Sequence, residues 1–75
     1  MLGRSLSVLV FDIEGMHCEH CSGAVEKAIR QLRGVKKAEV SLTESSATVW
    51  ADESKVSAKD IIDAVISAGF GAKLK

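Results

Sequence analysis

The sequence predicts an α+β domain in which the elements follow the order strand, helix, strand, strand, helix, strand. Three observations lead to this prediction. Two segments carry apolar residues at helical spacing, shorter segments alternate apolar with polar residues, and glycines or short polar stretches separate them. The chain has 75 residues, which suits a single small domain over residues 1–75 without a deep cleft between subdomains.

The first strand is predicted over Leu6 to Glu14, and the first helix follows it. The end of the strand places Phe11 and Ile13 on one side and acidic residues on the other. The helix is predicted from about Ser22 to Arg33, before Gly34, because glycine commonly follows the end of a helix. The apolar residues that define its buried face are Val25, Ala28, Ile29 and Leu32.

The middle of the chain predicts an antiparallel hairpin. The segment Val35 to Leu42 places the apolar residues Val40 and Leu42 two positions apart, with polar residues between them. Thr43 to Ser46 is a polar stretch typical of a turn, and the alternation resumes over Ala47 to Ala51. Two strands with a short polar connection pair with each other in antiparallel orientation.

The second helix and the last strand complete the pattern. The helix is predicted from Ser57, which opens a Ser-Ala-Lys-Asp stretch resembling a capping box with Asp in place of Glu, and it ends at Gly69. Its apolar face consists of Ile61, Ile62, Val65 and Ala68. A short strand over Phe70 to Leu74 follows. Two crossover units of this kind predict the ferredoxin-like βαββαβ sandwich, a four-stranded antiparallel sheet with two helices on one face.

This topology predicts which loops meet. The loop after the first strand, the turn over Thr43 to Ser46 and the Gly69-Phe70 junction should lie at the same end of the sheet. Trp50 should lie on the sheet face that the helices leave uncovered, with Val8 and Val10 near it.

Composition excludes several functional classes. Ten basic and ten acidic residues cancel, so the chain lacks the excess positive charge of a nucleic-acid-binding domain. The apolar run from Leu6 to Phe11 is too short to span a bilayer, and the single basic residue Arg4 with no cleavage site after it does not make a signal peptide. Two cysteines do not form the framework of a secreted disulfide-rich miniprotein. We therefore expect a cytoplasmic protein.

The segment from Gly15 to Cys21 carries the chemistry. It reads Gly-Met-His-Cys-Glu-His-Cys, and it contains both cysteines and both histidines of the chain. Cys18 falls in the predicted loop and Cys21 at the start of the first helix, where the helix N-terminus should favour thiolates and lower their pKa values. Two thiolates suit a soft ion of low coordination number such as Cu(I), whereas structural zinc usually takes four ligands.

This segment resembles the GMxCxxC signature of the heavy-metal-associated domain, a family found in cytosolic copper chaperones and in N-terminal domains of copper-transporting P-type ATPases. The resemblance implies that Cys18 and Cys21 are the metal ligands, that Met16 packs inward under the site, and that Phe70 lies beside the metal, where Phe is frequent in ATPase domains. Further matching positions are Gly34-Val35, Ala47 to Val49, Asp52 and Gly69-Phe70.

The resemblance also implies a function and partners. A domain of this family binds Cu(I) and transfers it to a partner by exchanging thiolate ligands. The implied partner is a copper-transporting P-type ATPase or a copper chaperone, with a copper-responsive regulator as a further candidate. Nucleic acid and direct membrane insertion are not expected. The domain is expected to be a monomer, and the family also forms metal-bridged dimers.

Several alternatives remain open at the level of sequence. A domain of the same fold could bind zinc, cadmium or mercury, although position 17 holds His rather than the Asp common in zinc-handling relatives. A thiol-disulfide redox protein would usually place a cis-proline against its cysteines, and this chain has no proline. His17 and His20 are expected either to modulate the thiols or to have no role at the site, rather than to bind the metal in the monomer. No general base, phosphate loop or triad accompanies the cysteines, so we do not expect an enzyme.

Overall fold

The computed structural model describes residues 6–75, which form four strands and two helices in the predicted order. The strands are β1 (Ser7–Glu14), β2 (Val35–Ser41), β3 (Ser46–Ala51) and β4 (Gly71–Leu74), and the helices are α1 (Glu19–Arg30) and α2 (Ala58–Ser67). The predicted α+β fold class is confirmed. Residues 1–5, which include Arg4 and the start of the predicted domain, lie outside the described residues.

The four strands form one antiparallel sheet in the order β2-β3-β1-β4. Near the end of β1, Asp12 is opposite Ser46 at the start of β3, and Glu14 is opposite Gly71 at the start of β4. In addition, the Ile13 N–H donates a hydrogen bond of 2.8 Å to the carbonyl oxygen of Ser45. The three loops that were predicted to meet therefore lie at the same end of the sheet.

Both helices pack on one face of the sheet and bury a single core. The largest fully buried side chains are Phe11, Ile29, Ile61, Val25, Val49 and Val65, which come from β1, β3 and both helices. Each stabilises the fold by about 1.5–3 kcal/mol relative to an exposed position. The helical faces predicted from residue spacing face the core, with two exceptions. Ala28 on the first face is only half-buried and is not part of the core, and Ala68 at the end of the second face is exposed.

The other face of the sheet carries Trp50, as predicted. Trp50 is half-buried between Val8 on β1 and Lys37 on β2, its partners in the two neighbouring strands. The Lys37 ammonium lies 5.0 Å from the centre of the indole ring and 3.3 Å from the Glu39 carboxylate. The cation therefore covers part of the aromatic surface.

The predicted bounds of the first helix are wrong at both ends by about one turn. The α1 helix begins at Glu19 because the Cys18 carbonyl already accepts hydrogen bonds from the N–H groups of Cys21 and Ser22, at 3.0 and 3.2 Å. It ends at Arg30 because the next bond, from Leu32 N–H to the Ile29 carbonyl, joins residues three apart and tightens the chain into a turn.

The predicted start and end of the second helix are confirmed. Ser57 caps α2, since its hydroxyl accepts a bond from the Asp60 N–H while the Asp60 carboxylate accepts one from the Ser57 N–H. At the other end Gly69 has φ +100°, and the Phe70 N–H donates to the Val65 carbonyl at 3.1 Å. This Schellman ending turns the chain directly into β4. In the described part of the chain, no helix has the length and apolar character needed to cross a membrane.

Candidate metal site

The loop that holds the cysteines begins with a sharp turn at Gly15. This residue follows β1 and has φ +98°, a conformation that side-chain-bearing residues rarely adopt. A Cβ atom placed on Gly15 would lie 3.4 Å from Cδ2 of Phe70. Glycine therefore permits the turn, and Phe70, which immediately precedes β4, lies within contact distance of the loop.

Met16 fixes the base of the loop. Its side chain is only 8% exposed and belongs to the hydrophobic core, so the predicted inward packing of Met16 is confirmed. The next two residues, His17 and Cys18, are exposed. The chain thus passes from core to solvent within two positions, and the cysteines lie at the tip of the domain on a base that the core holds in place.

The two thiols are neighbours in space. Cys18 Sγ and Cys21 Sγ are 3.6 Å apart, and both cysteines are free. This separation exceeds a disulfide bond of about 2.05 Å and is shorter than twice a metal–sulfur bond of about 2.3 Å. A single ion can therefore bond to both sulfurs.

The two thiols differ in environment. Cys18 is the N-cap residue of α1, has an extended backbone (φ −158°, ψ 173°) and is exposed, and its side chain makes no capping hydrogen bond. Cys21 is the third residue of the helix, half-buried, and packs against the core. The sequence predicted one cysteine in the loop and one at the helix start, and the structure adds that the first is the more accessible.

The electrostatic surroundings favour a thiolate at Cys21. Hydrogen bonding from the backbone of His17 lowers the pKa of the Cys21 thiol below its ordinary value, and hydrogen bonding with the Cys18 side chain lowers it further. Desolvation opposes these effects and raises it, but the net direction is downward. Because the thiolate is the form that binds metals, this environment prepares Cys21 for a soft cation.

The histidines remain outside the thiol pair. His17 and His20 are both exposed. Within residues 6–75, no group of three or more His, Cys, Asp or Glu side chains is placed to hold one ion. Of the side chains that the sequence singled out as possible donors, the structure brings together the two cysteines.

The sequence matches the model of a known protein family over both the fold and the cysteine loop. The model of the heavy-metal-associated domain matches residues 10–71, which include the later part of β1, the CxxC loop and the first residue of β4. The chain belongs to the heavy-metal-associated domain family.

Relatives of this heavy-metal-associated domain occur in two settings. The copper chaperone CopZ of Staphylococcus haemolyticus is 41% identical over 64 residues, which are 85% of this chain and 94% of CopZ. The copper-transporting ATPase HMA4 of rice, Oryza sativa subsp. japonica, is 42% identical over 71 residues, which are 95% of this chain but 7% of the ATPase. Small copper chaperones and one segment of a large copper transporter are thus both homologous to this domain.

A solved structure agrees with the fold. The N-terminal domain of a potential copper-translocating P-type ATPase from Bacillus subtilis, determined in the Cu(I)-loaded state, superposes with a TM-score of 0.89 and is 34% identical. The match covers 93% of this chain and 88% of the other. The predicted membership of the family is confirmed by these similarities.

Two features of this heavy-metal-associated domain were not found from its sequence. One is the contact that Phe70 makes at Gly15, and the other is the hydrogen bond between Ile13 and Ser45 that braces the end of β1. The predicted topology already brought these segments to one end of the sheet. Which atoms come into contact depends on the register of the paired strands. The pattern of apolar residues does not determine this register finely enough to predict individual atomic contacts.

Proposed function

We propose that this domain binds one Cu(I) ion between Cys18 and Cys21 and transfers it to a partner protein by exchange of thiolate ligands. The observation that carries the proposal is the pair of free thiols, 3.6 Å apart, at the exposed tip of the domain. Membership of the heavy-metal-associated family supports metal binding, and the copper chaperones and copper-transporting ATPases among its relatives support copper.

The donor set favours the monovalent ion. Two thiolates satisfy a soft ion of low coordination number, whereas zinc prefers four ligands in a tetrahedron. The Cu(I)-loaded state of the similar Bacillus subtilis domain supports the same oxidation state. Because both thiols must lose their protons to bind the ion, its uptake releases protons, and the low pKa of Cys21 reduces the free energy needed for that step.

The difference between the cysteines suits transfer. A partner thiolate can approach an ion held at Cys18 from solvent, because Cys18 is exposed. The ion then has three sulfur ligands, and the original bonds break as a second partner thiolate replaces them. Cys21 remains on α1 against the core, so it keeps the ion attached while the partner engages. Copper never has to be released as a free ion.

The partner follows from the same chemistry. A protein that accepts Cu(I) in this way must present its own exposed thiolates, as a similar CxxC loop does. We propose a copper-transporting P-type ATPase or a copper chaperone in the cytoplasm as the partner, with a copper-responsive regulator as a further candidate. The domain acts as a carrier and not as an enzyme.

The first experiment measures Cu(I) binding by competition with a high-affinity chelator under reducing conditions. Cys18→Ala and Cys21→Ala are each expected to lose tight binding, since one thiolate remains. His17→Ala is the matched control, because His17 is an exposed neighbour outside the thiol pair, and it is expected to keep the affinity of the unchanged chain. A Cys18→Ala domain that still holds Cu(I) against the chelator would contradict the proposal, as would Zn(II) displacing Cu(I).

The second experiment follows transfer directly. The Cu(I)-loaded domain is mixed with the metal-free N-terminal domain of a copper-transporting ATPase, the two are separated by ion exchange, and copper is measured in each. Copper is expected to equilibrate between them in the presence of a chelator that captures free ions. Copper that appears on the chelator instead of on the partner would exclude direct exchange.

A further inference from the structure

The outer edge of β2 is open for pairing. β2 is the first strand in the sheet order, and no strand within residues 6–75 pairs with its outer side. The Ile13 N–H bonds to the Ser45 carbonyl, which fixes the residues of β1 that face β3. Carried across the sheet by the strand register, this alternation directs the backbone of Glu39 towards β3 and that of its neighbours Ala38 and Val40 outward. Such an edge can accept a further strand.

Opposite charges flank this edge on the helix-free face of the sheet. The side chains of Lys37 and Glu39 are 56% and 62% exposed, and their charged atoms are 3.3 Å apart. Ala38 lies between them and faces the core, where it is only 1% exposed. The edge therefore presents one positive and one negative charge, two positions apart, on either side of a small buried residue.

We propose that two copies of this domain associate by antiparallel pairing of their β2 edges, with the two-fold axis at Ala38. The Ala38 N–H of each copy then donates to the Ala38 carbonyl of the other. Lys37 of each copy lies opposite Glu39 of the second copy, in non-hydrogen-bonded pairs, where facing side chains are closest. The two four-stranded sheets join into one continuous sheet.

The charges select this register over its neighbours. If one strand slides by two residues, either Lys37 faces Lys37 or Glu39 faces Glu39 of the second copy, and like charges directly opposite each other are destabilising. A slide of one residue places outward-directed backbone groups opposite inward-directed ones, so the hydrogen bonds are lost. The edge is thus complementary to a second copy of itself, and a second copy is the partner that it fits.

The first helix carries a second pair of opposite charges beside the same edge. Glu26 and Arg30 of α1 are ion-paired at 3.3 Å, and they line a groove along β2 together with Ala38 and Val40. In the paired arrangement the two α1 helices lie side by side in opposite directions. Glu26 of one copy is therefore brought towards Arg30 of the other, so the helix layer has the same self-complementary charge pattern as the strand.

This association leaves both cysteine loops free. Ser41, the last residue of β2, pairs with Ser46 at the end of the sheet that carries the cysteine loop. Antiparallel pairing of β2 sends the two loops to opposite ends of the dimer, so no metal ion is shared and none is needed. The irregular register between Val35 and Lys37 confines regular pairing to the later part of β2. The contact is short, and the dimer is weak and reversible.

The test uses sedimentation equilibrium of the reduced, metal-free domain over a range of concentrations. A reversible dimer with a dissociation constant below about 1 mM is expected. Glu39→Lys and Lys37→Glu should each weaken it at least about tenfold, because both cross-strand pairs become like-charged. Lys59→Glu is the matched control, since it makes the same charge change at an exposed position of α2, and it should leave the dissociation constant unchanged. Circular dichroism verifies that all variants are folded.

A mixing experiment tests the register. When Glu39→Lys is mixed with Lys37→Glu, every cross-strand pair again joins opposite charges, so a mixed dimer should form at least as tightly as that of the unchanged chain. Glu39→Lys mixed with Lys59→Glu should not recover association. In hydrogen exchange followed by NMR, the Ala38 N–H should become protected as the concentration rises, whereas the Glu39 N–H, which already faces β3, should be protected throughout.

Three outcomes would overturn the proposal. A domain that stays monomeric up to about 1 mM, the concentration that corresponds to about 4 kcal/mol of binding free energy, would exclude the association. A dimer that both charge variants leave intact, or that forms without protection of the Ala38 N–H, would place the contact elsewhere. A dimer that Cys18→Ala abolishes would show that the cysteine loops meet. None of these results bears on Cu(I) binding, which the chelator competition measures separately.

Discussion

The two cysteines show how much a residue's position in a loop decides its chemistry. They are three positions apart, yet Cys18 is exposed at the helix cap and Cys21 is half-buried within the first turn. The sequence predicted both as ligands of one site, because CxxC spacing at a helix start allows the two sulfurs to meet. It could not predict that the backbone of His17 is the main cause of the lowered Cys21 pKa, since this depends on the path of the loop.

The first residue-scale prediction concerns the Cys21 thiol. In Cys18→Ser the remaining thiol is expected to titrate at lower pH in the folded domain than in the same chain unfolded in urea, because the His17 backbone bond exists only in the folded state. A lowered folded-state pKa stabilises the fold above the unfolded pKa, and this contribution is lost as the pH falls through the folded pKa. The ultraviolet absorbance of the thiolate measures both pKa values, and a folded pKa equal to or above the unfolded one would contradict this prediction.

The second prediction concerns Gly15. Gly15→Val places a branched side chain at φ +98° and against Phe70, 3.4 Å from the position of its Cβ, and is expected to lower the free energy of unfolding by at least about 1–2 kcal/mol. Gly23→Ala is the control, because a Cβ on Gly23 has nothing within 4 Å and helical alanine is favoured over glycine by about 0.5–1 kcal/mol. Urea unfolding measures both, and equal effects of the two changes would refute the strain argument.

At the scale of elements, the sequence predicted the existence and order of every helix and strand. It predicted the bounds of a helix correctly where a capping side chain and a terminal glycine set them. The α2 helix has such signals at both ends, in the Ser57 capping box and at Gly69. The α1 helix has no side-chain cap at its start, and Gly34, on which its predicted end relied, lies beyond the observed end at Arg30. Its start depends on the Cys18 carbonyl and its end on a tightened turn at Leu32. These are backbone interactions that the residue pattern does not reveal.

The capping box gives a prediction at this scale. Ser57→Ala removes the hydroxyl that accepts the Asp60 N–H and is expected to lower the free energy of unfolding by about 1 kcal/mol. Cu(I) affinity should not change, because Ser57 starts α2 at the end of the helix away from Phe70. The exposed Ser67→Ala at the last turn of the same helix is the control and should stay within about 0.5 kcal/mol. A loss of copper affinity in Ser57→Ala would show that the start of α2 is coupled to the cysteine loop, which the structure does not predict.

At the scale of the whole molecule, the antiparallel sheet and the shared core explain why the prediction of the fold succeeded. Each strand has one buried and one outer side, and each helix has a single apolar face. With these faces assigned, only a few topologies bury them all. The contact between Gly15 and Phe70 was harder to predict from the sequence than the topology. The two residues belong to distant parts of the chain and meet only when β1 and β4 pair.

Copper should stabilise the whole domain. An ion that binds only the folded state at a free concentration one hundred times its dissociation constant adds about 2.7 kcal/mol to the free energy of unfolding. We expect Cu(I) to raise the thermal unfolding temperature of the unchanged chain and of His20→Ala, which keeps both thiols, but not of Cys18→Ala. Thermal melts followed by circular dichroism under reducing conditions measure this shift. An equal shift in Cys18→Ala would locate the ion elsewhere.

The Trp50 indole gives the domain an optical probe that is separate from the cysteine loop. It is the only tryptophan of the chain. It lies on the helix-free face, four residues along β3 from Ser46. Ser46 is at the end of the sheet that carries the cysteine loop, and four residues correspond to about 13 Å at the rise of a strand. Its fluorescence should therefore report unfolding through the loss of its contacts with Val8 and Lys37. Loading of the folded domain with copper should leave the emission nearly constant, so one sample can report stability and metal content through independent signals.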